Sequence, residues 1–322
     1  MKLNNQRKVI RVSEKDGKKF LALHNAPTGT REKGFLLIDV AYISLNYGEV
    51  IDSLESGTAG DQPGWEFSGL VKEADADSSF KEGDHVAGMM LGGAWASQVT
   101  VAESFVARVP TAVSLEVACC IPITGLTAYI SLSKQPQNDG RNILITAATG
   151  NVGRLAIQIA SHLGIEVTAF VQSPKRANQM YDLGANHVVT DWEEARKHMP
   201  FDRILEGLGG ASLGKSLELL SSGGICVSFG NILKDQEATF NVDLFRIREK
   251  GFGGTMLYGF FLGEELSRQA VSPMLNELFQ LVATNKLQVD IATLDSWENI
   301  QSIALRLLQG GFKGKVVLKV GS

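Results

Sequence analysis

The sequence predicts an α/β chain in which a doubly wound parallel sheet is inserted in a second, mainly β domain. Three observations predict it. Short apolar strands alternate with amphipathic helices through the middle third. The first third reads instead as strands and turns. The last apolar run, Lys315 to Val320, lies far from those early strands and is expected to rejoin their sheet. The length of 322 residues suits two domains, at roughly 100–200 residues each.

In the first third, Gly34 to Val40 reads as a strand through Phe35, Leu36, Leu37 and Ile38. Pro63-Gly64, Asp75 to Ser79 and Glu82-Gly83-Asp84 read as turns. Gly92 to Ala96 precedes an alternating stretch, Ser97 to Val101. The middle third opens with a strand, Ile143 to Ile145, and a glycine-containing turn. Val152, Leu155, Ala156, Ile159, Ala160 and Leu163 then recur at helical spacing. Val167 to Val171, His187 to Val189, Arg203 to Leu205 and Ile225 to Phe229 read as strands. Between them fall two helices. One is Pro174 to Leu183, with proline in its first turn, and the other is Ala211 to Leu220, ending at Gly223-Gly224. Such alternation implies a parallel sheet covered on both faces. Pro273 to Ala283 and Trp297 to Gln309 read as helices before the closing strand. The expected boundaries are 1–120 and 262–322 for the mainly β domain and 121–261 for the insert.

Composition excludes several classes. Hydrophobic residues at 44% and charged residues at 20% suit a packed core. A net charge of −4 argues against a nucleic-acid-binding face and against attraction to anionic membranes. No run of about 18 apolar residues occurs, and no apolar signal-type segment follows Met1 to Lys8. Cys119, Cys120 and Cys226 sit in apolar runs and are odd in number, which reads as buried free thiols in a reducing cytoplasm. The five histidines are scattered.

The strongest local signal is Ile145-Thr146-Ala147-Ala148-Thr149-Gly150-Asn151-Val152-Gly153, between a strand and a helix. Glycines there let the backbone approach a pyrophosphate, and the helix N-terminus supplies free N–H groups. Ala148 stands where the first glycine of the dinucleotide pattern would be. The next strand runs into Phe170-Val171-Gln172-Ser173 and carries no acid to bind a ribose 2′-hydroxyl. Ser173, Lys175 and Arg176 follow instead, a group suited to a 2′-phosphate. The expected cofactor is NADPH.

Ala147 to Gly153, preceded by Ile121-Pro122-Ile123-Thr124-Gly125-Leu126-Thr127-Ala128, resembles the zinc-free quinone oxidoreductase (zeta-crystallin-like) branch of the medium-chain dehydrogenase/reductases. Leu45-Asn46-Tyr47, Pro63 to Gly69, Lys81 to Gly88, Leu208-Gly209-Gly210, Gly223-Gly224 and Gly314 to Leu318 resemble further motifs of that branch, in order. The resemblance implies a Rossmann nucleotide domain inserted in a GroES-like catalytic domain, and a cytoplasmic homodimer joined by edge strands. Cofactor contacts would fall to Asn46, Thr127, Thr149, Gly150, Asn151, Val152, Gly153, Ser173, Lys175, Arg176, Gly207, Phe229, Gly230 and Phe260. The catalytic zinc ligands of the metal-dependent relatives fall on Asn46, Trp65 and Ile123, none a usual zinc ligand, so no metal is expected. Asp191 stands where relatives often carry an aromatic residue near the adenine ribose. Tyr47 is followed by Gly48-Glu49, where close relatives have Lys-Asp or aliphatic-Asp pairs.

Without a Lewis acid, the acceptor must already be electrophilic. The resemblance therefore implies hydride transfer from NADPH to a quinone. An enone or enoyl acceptor and a non-catalytic, crystallin-like NADPH-binding protein stay open. Asn46 would hold the nicotinamide ribose or the acceptor carbonyl, and Tyr47 would donate a hydrogen bond or proton. A cleft between the domains is expected, lined by Asn46, Tyr47, Glu66 and Leu257 to Phe261.

Overall fold

The computed structural model describes residues 6–137, 140–232, 237–248 and 251–321. The chain divides into two units, one made of Met1–Ile123, Gln269–Asn285 and Val289–Ser322, the other of Thr124–Arg268 and Lys286–Gln288.

The first unit begins with strands β1 (Gln6–Lys15) and β2 (Lys18–Pro27), paired as an antiparallel hairpin. Next come β3 (Phe35–Leu45), helix α1 (Tyr47–Glu55), β4 (Glu66–Glu73), β5 (His85–Met89), β6 (Gln98–Ala102), β7 (Val106–Arg108) and the single-turn helix α2 (Leu115–Ala118). The strand expected at Gly34 to Val40 thus runs on to Leu45, ending one residue before Asn46. Helix α3 (Pro122–Ser133) leads out of this unit, and it is buried on nearly every side, which suits its almost uninterrupted apolar sequence.

The second unit carries β8 (Asn142–Ile145), α4 (Asn151–His162), β9 (Glu166–Phe170), α5 (Ala177–Asp182), β10 (His187–Val189), α6 (Trp192–Arg196), β11 (Phe201–Glu206), α7 (Gly210–Glu218), β12 (Leu220–Ser228), the short strands β13 (Ile247–Arg248) and β14 (Gly251–Phe252), β15 (Met256–Gly259) and α8 (Leu262–Leu266). Six of these strands form one sheet in the order β10-β9-β8-β11-β12-β15, with every neighbouring pair parallel. This is the doubly wound order 3-2-1-4-5-6, and it reverses between β8 and β11. The three-residue tail of this unit, 286–288, is held by the Gln158 amide, which donates to the Gln288 carbonyl at 3.0 Å and accepts from its N–H at 2.7 Å.

The chain then returns to the first unit with α9 (Val271–Ala283), β16 (Ile291–Ser296), α10 (Ile300–Leu308) and β17 (Lys315–Lys319). The expected return of the closing strand is what the structure shows. β17 lies between β16, which it pairs in parallel, and β3, which it pairs antiparallel. The sheet reads β16-β17-β3-β4-β5-β7, with β6 pairing the first half of β3. Val316 and Leu318 face the main core with Trp95, Trp297 and Phe67, while Val317 faces Cys119 and Cys120. Burial on both faces explains why the middle of this strand, Val316 to Leu318, is apolar rather than alternating.

Two expectations need correction. The helix placed at Pro174 to Leu183 starts as a 3-10 turn, Pro174–Arg176, because the Arg176 N–H closes on the Ser173 carbonyl, and only Ala177–Asp182 is α-helical. Gly223-Gly224 does not end a helix. α7 stops at Glu218, and the glycines lie inside β12, in a bulge where Leu220 faces Phe201 but Ile225 faces Arg203. Among the described residues no helix is long and apolar enough to cross a membrane.

Candidate active site and nucleotide loop

The second unit presents its loops at the carboxyl ends of parallel strands, where ligands of doubly wound sheets bind. After β8 the chain turns through Thr146 to Gly150 into α4. Ala147 takes a left-handed conformation (φ 49°), and its carbonyl accepts from the Gly150 N–H at 2.9 Å. Gly153, on the first turn of α4, lies against this turn so closely that a Cβ would sit 2.6 Å from the Ala147 oxygen. The third glycine of the pattern is therefore required for helix–loop packing, while Ala148, at the first position, is fully buried. Thr149, Gly150, Asn151 and Val152 remain partly or fully exposed at the helix N-terminus.

Across the reversal point, Glu206 ends β11 with a fully buried carboxylate. It accepts from the Thr146 hydroxyl (3.1 Å), the Leu208 and Gly209 N–H groups (3.0 and 2.9 Å) and the Ser212 hydroxyl (2.8 Å). Thr146 in turn accepts from the Gly207 N–H at 3.0 Å. Four donors satisfy a charge that burial would otherwise make costly, and they hold the β8 and β11 loops to each other. Gly207 touches the Phe229 ring: a Cβ there would lie 2.7 Å from it and 3.3 Å from Ala147. Gly230 backs onto Gly207, and the Phe260 N–H donates to the Ser228 carbonyl at 2.9 Å. The loop after β8 is thus joined by Gly207, Phe229 and Gly230 at one edge of the sheet. Ser173, Lys175 and Arg176 follow β9 at the same edge, with Lys175 exposed and the other two half-buried. Thr127 sits on the buried helix α3, 7% exposed.

Asp191 is the N-cap of α6, accepting from the Glu194 N–H at 2.8 Å, and the Glu194 carboxylate accepts from the Thr190 N–H and hydroxyl. Its carboxylate holds a helix end. Asp191-x-x-Glu194 is a capping-box spacing, the signal that identifies it in sequence.

In the first unit, Asn46 follows β3 and caps α1. Its side chain bridges two buried charges: Nδ2 donates to Glu66 Oε1 at 3.0 Å, and Oδ1 accepts from Lys315 Nζ at 2.9 Å. Lys315 also donates to Glu66 Oε1 at 2.6 Å, with side-chain exposures of 2% and 0% for the pair. The other Glu66 oxygen accepts the Ile123 N–H at 2.8 Å. Burial works against the charge of Lys315, but Glu66 beside it raises the ammonium pKa above the usual lysine value. One turn along α1, Glu49 Oε2 accepts from the Asn46 N–H at 3.2 Å, and its other oxygen is buried without a partner. Burial, and then the Glu66 charge, push the Glu49 carboxyl up to about 8. Tyr47, the first residue of α1, is 42% exposed, and its hydroxyl has no partner among the described residues. The structure therefore joins Asn46 to Glu66 and adds Glu49 and Lys315, which the sequence reading did not single out.

Asn46, Trp65 and Ile123, the positions at which the resemblance places zinc ligands, make other contacts. The Asn46 amide is bonded to Glu66 and Lys315, Ile123 contributes only its backbone N–H to Glu66, and Trp65 is an indole. The thiols of Cys119 and Cys120 donate to the Glu116 carbonyl at 3.2 and 3.3 Å. Burial foremost raises the pKa of Cys119 and of Cys226 well above the ordinary thiol value.

Comparison with known proteins follows the same two-unit division. The alcohol dehydrogenase GroES-like domain model matches residues 32–111, and the zinc-binding dehydrogenase model matches residues 151–280. The polyketide synthase GfsB of Streptomyces halstedii is 30% identical over 303 residues, 92% of this chain and 5% of that protein. The chain spans between 5 and 13% of the length of the first curated relatives it matches. Among solved structures, the quinone oxidoreductase of Escherichia coli complexed with NADPH aligns with a TM-score of 0.81 at 22% identity, covering 97% of this chain and 99% of that one. The CurK enoyl reductase aligns with a TM-score of 0.80 at 24% identity, covering 99% and 100%. With the GroES-like and zinc-binding dehydrogenase models matched in this order over residues 32–111 and 151–280, the chain belongs to the medium-chain dehydrogenase/reductase family.

Proposed function

We propose that this chain is a zinc-independent, NADPH-dependent reductase that delivers a hydride to a quinone in the cytoplasm. The observation that carries the cofactor assignment is the loop after β9, where Ser173, Lys175 and Arg176 follow the strand and no acid follows to bind a ribose 2′-hydroxyl. The cradle suits a pyrophosphate: the first turn of α4 is open, and Gly153 and Gly207 occupy places a Cβ would fill.

NADPH, when bound, supplies the hydride. The protein's part is binding, orientation and electrostatics. Glycine backbone and helix N–H groups at Gly150 to Gly153 would hold the pyrophosphate, and Lys175 and Arg176 the 2′-phosphate. The half-buried Asn46 has one amide N–H to offer an acceptor carbonyl or a ribose hydroxyl. Tyr47, with an uncommitted hydroxyl, would place a proton near developing negative charge. No thiolate, imidazole or free carboxylate stands at Asn46, Trp65 or Ile123 to bind zinc.

A second reading, reduction of an enone or enoyl acceptor, is supported by likeness to the polyketide synthase GfsB and to the CurK enoyl reductase. Stopped-flow oxidation of NADPH and NADH against a panel of quinones and enones decides between them. Quinone turnover at a rate well above that of any enone supports the first reading, and the reverse order replaces it with the second. NADPH binding without turnover of any acceptor would show a non-catalytic binding protein. Elemental analysis finding about one zinc per chain, retained after mild chelation, would overturn the zinc-independent assignment.

A further inference from the structure

We propose that Lys315, Glu66 and Glu49 are positioning residues that lock the Asn46 side-chain amide with its oxygen on Lys315 and one N–H on Glu66, so that Asn46 meets its ligand only as a donor to an oxygen atom. The lock follows from the chemistry of its members. An ammonium can only donate and a carboxylate can only accept. With Lys315 Nζ at 2.9 Å from one end of the amide and Glu66 Oε1 at 3.0 Å from the other, the oxygen must face Lys315 and the nitrogen Glu66. A free asparagine can flip, but this one would lose two charge-assisted bonds by doing so. Its second N–H has no partner among the described residues, and Asn46 is only half-buried.

Charge balance brings in Glu49. One buried ammonium faces two buried carboxyls, and a second full negative charge there would have no counter-ion. Glu49 receives the Asn46 N–H on one oxygen only. Kept protonated, it leaves a neutral set of Lys315 and Glu66. The groups that face Glu49 are Glu66 and Lys315, and beyond them the Cys119 and Cys120 thiols against Lys315. The cations of the elements packed along α1 are exposed or engaged elsewhere. Lys19 of β2 donates to the Glu55 carbonyl, and Arg306 of α10 lies over the Phe312 ring, while Lys18 is exposed and His24 pairs with Ser13. Above a pH of about 8, deprotonation of Glu49 sets a second carboxylate beside Glu66 and draws Lys315 away from Asn46.

The inference rests on the reductase reading for its kinetic readout alone, so the test has two arms. In the first, the asparagine side-chain amides are observed by nitrogen-15 NMR, and carboxyls by difference infrared spectroscopy, with no acceptor present. In wild type the Asn46 amide, assigned by its loss in Asn46→Ser, should shift as pH passes through about 8, together with loss of one protonated-carboxyl band. Both changes should be absent in Glu49→Gln. In the second arm, Lys315→Met should lower kcat/KM for the acceptor about tenfold, a barrier change of ~1.4 kcal/mol, and Lys315→Arg should recover most of it. The affinity for NADPH should hold within about twofold where the oxygen that Asn46 meets is the acceptor carbonyl, and fall with kcat/KM where it is the ribose hydroxyl. If Lys315→Met fails to fold, Lys315→Arg and Glu49→Gln carry the test: wild-type kcat/KM should fall as pH rises through about 8, and Glu49→Gln should abolish that fall. An Asn46 amide insensitive to pH and to Glu49→Gln overturns the lock. So does an acceptor kcat/KM that Lys315→Met, folded, leaves within about twofold of wild type. Wild-type protein that turns over no acceptor refutes the reductase reading and leaves the lock to be judged by the spectra.

Discussion

Lys315 shows what a single buried charge demands. Lysine is almost never fully buried without a partner, and here the partner is Glu66, 249 residues earlier. Nothing within the local run Gly314 to Leu318 reveals that pairing, which is why the strand was legible in sequence and its lysine was not. Lys315→Met strands the Glu66 carboxylate in the core and should cost about 3–5 kcal/mol of stability in a urea titration. The double variant Lys315→Met/Glu66→Leu should recover a large part of that loss, because the unpaired charge is gone. Glu49 adds a pH dependence of known sign. Its folded pKa of about 8 lies above the ordinary value of 4.5. The native state therefore holds this proton more tightly than the unfolded chain. The resulting stability is fully present below about pH 4.5 and lost as pH rises toward about 8. The stability of Glu49→Gln relative to wild type should accordingly climb between those limits. A constant difference across that window would show that Glu49 titrates normally.

Helix starts and loop turns carry the next level of design. The strand–loop–helix unit around Gly150 was legible because its apolar period and its glycines agree. α1 was not foreseen, although Asn46-x-x-Glu49 has capping-box spacing, because a nine-residue helix among strands gives little period to read. Gly153→Ala should lose about 1–3 kcal/mol, since the added methyl meets backbone rather than a movable side chain. It should also weaken NADPH, as isothermal titration would measure. The 3-10 turn Pro174–Arg176 carries the two cations that follow β9. A charge-assisted contact is worth about 1.5–3 kcal/mol. Arg176→Ala should then weaken NADPH by roughly one to two decades and leave NADH nearly unchanged. Equal losses for both nucleotides would remove Arg176 from the phosphate site.

At the scale of the chain, the alternation of strands and helices makes the doubly wound sheet legible in sequence, but not the order of its strands, which pairing between distant segments decides. The β sheet of the other unit was legible only in outline, because its pairings join residues far apart in sequence and no local period encodes a partner. The second unit is nearly continuous, Thr124–Arg268. Expressed alone, residues 124–268 should unfold cooperatively and retain NADPH affinity within about tenfold of the full chain. A fragment lacking residues 289–322 should leave the first unit unfolded, since it removes β16, β17 and α10 together with Trp297, Val316 and Leu318 of the core. Limited proteolysis of each fragment distinguishes the two outcomes.

The central place of β17 also sets an order of events during synthesis. Lys315 is translated 269 residues after Asn46. At about 5–20 residues per second, the free edge of β3 waits roughly ten seconds to a minute on the ribosome for the strand that completes its sheet. The nucleotide-type unit, made in the interval, can fold as it emerges. The half that is translated first is therefore the half that matures last, and its exposed β3 edge is where a chaperone, or another nascent copy, would find this chain unprotected.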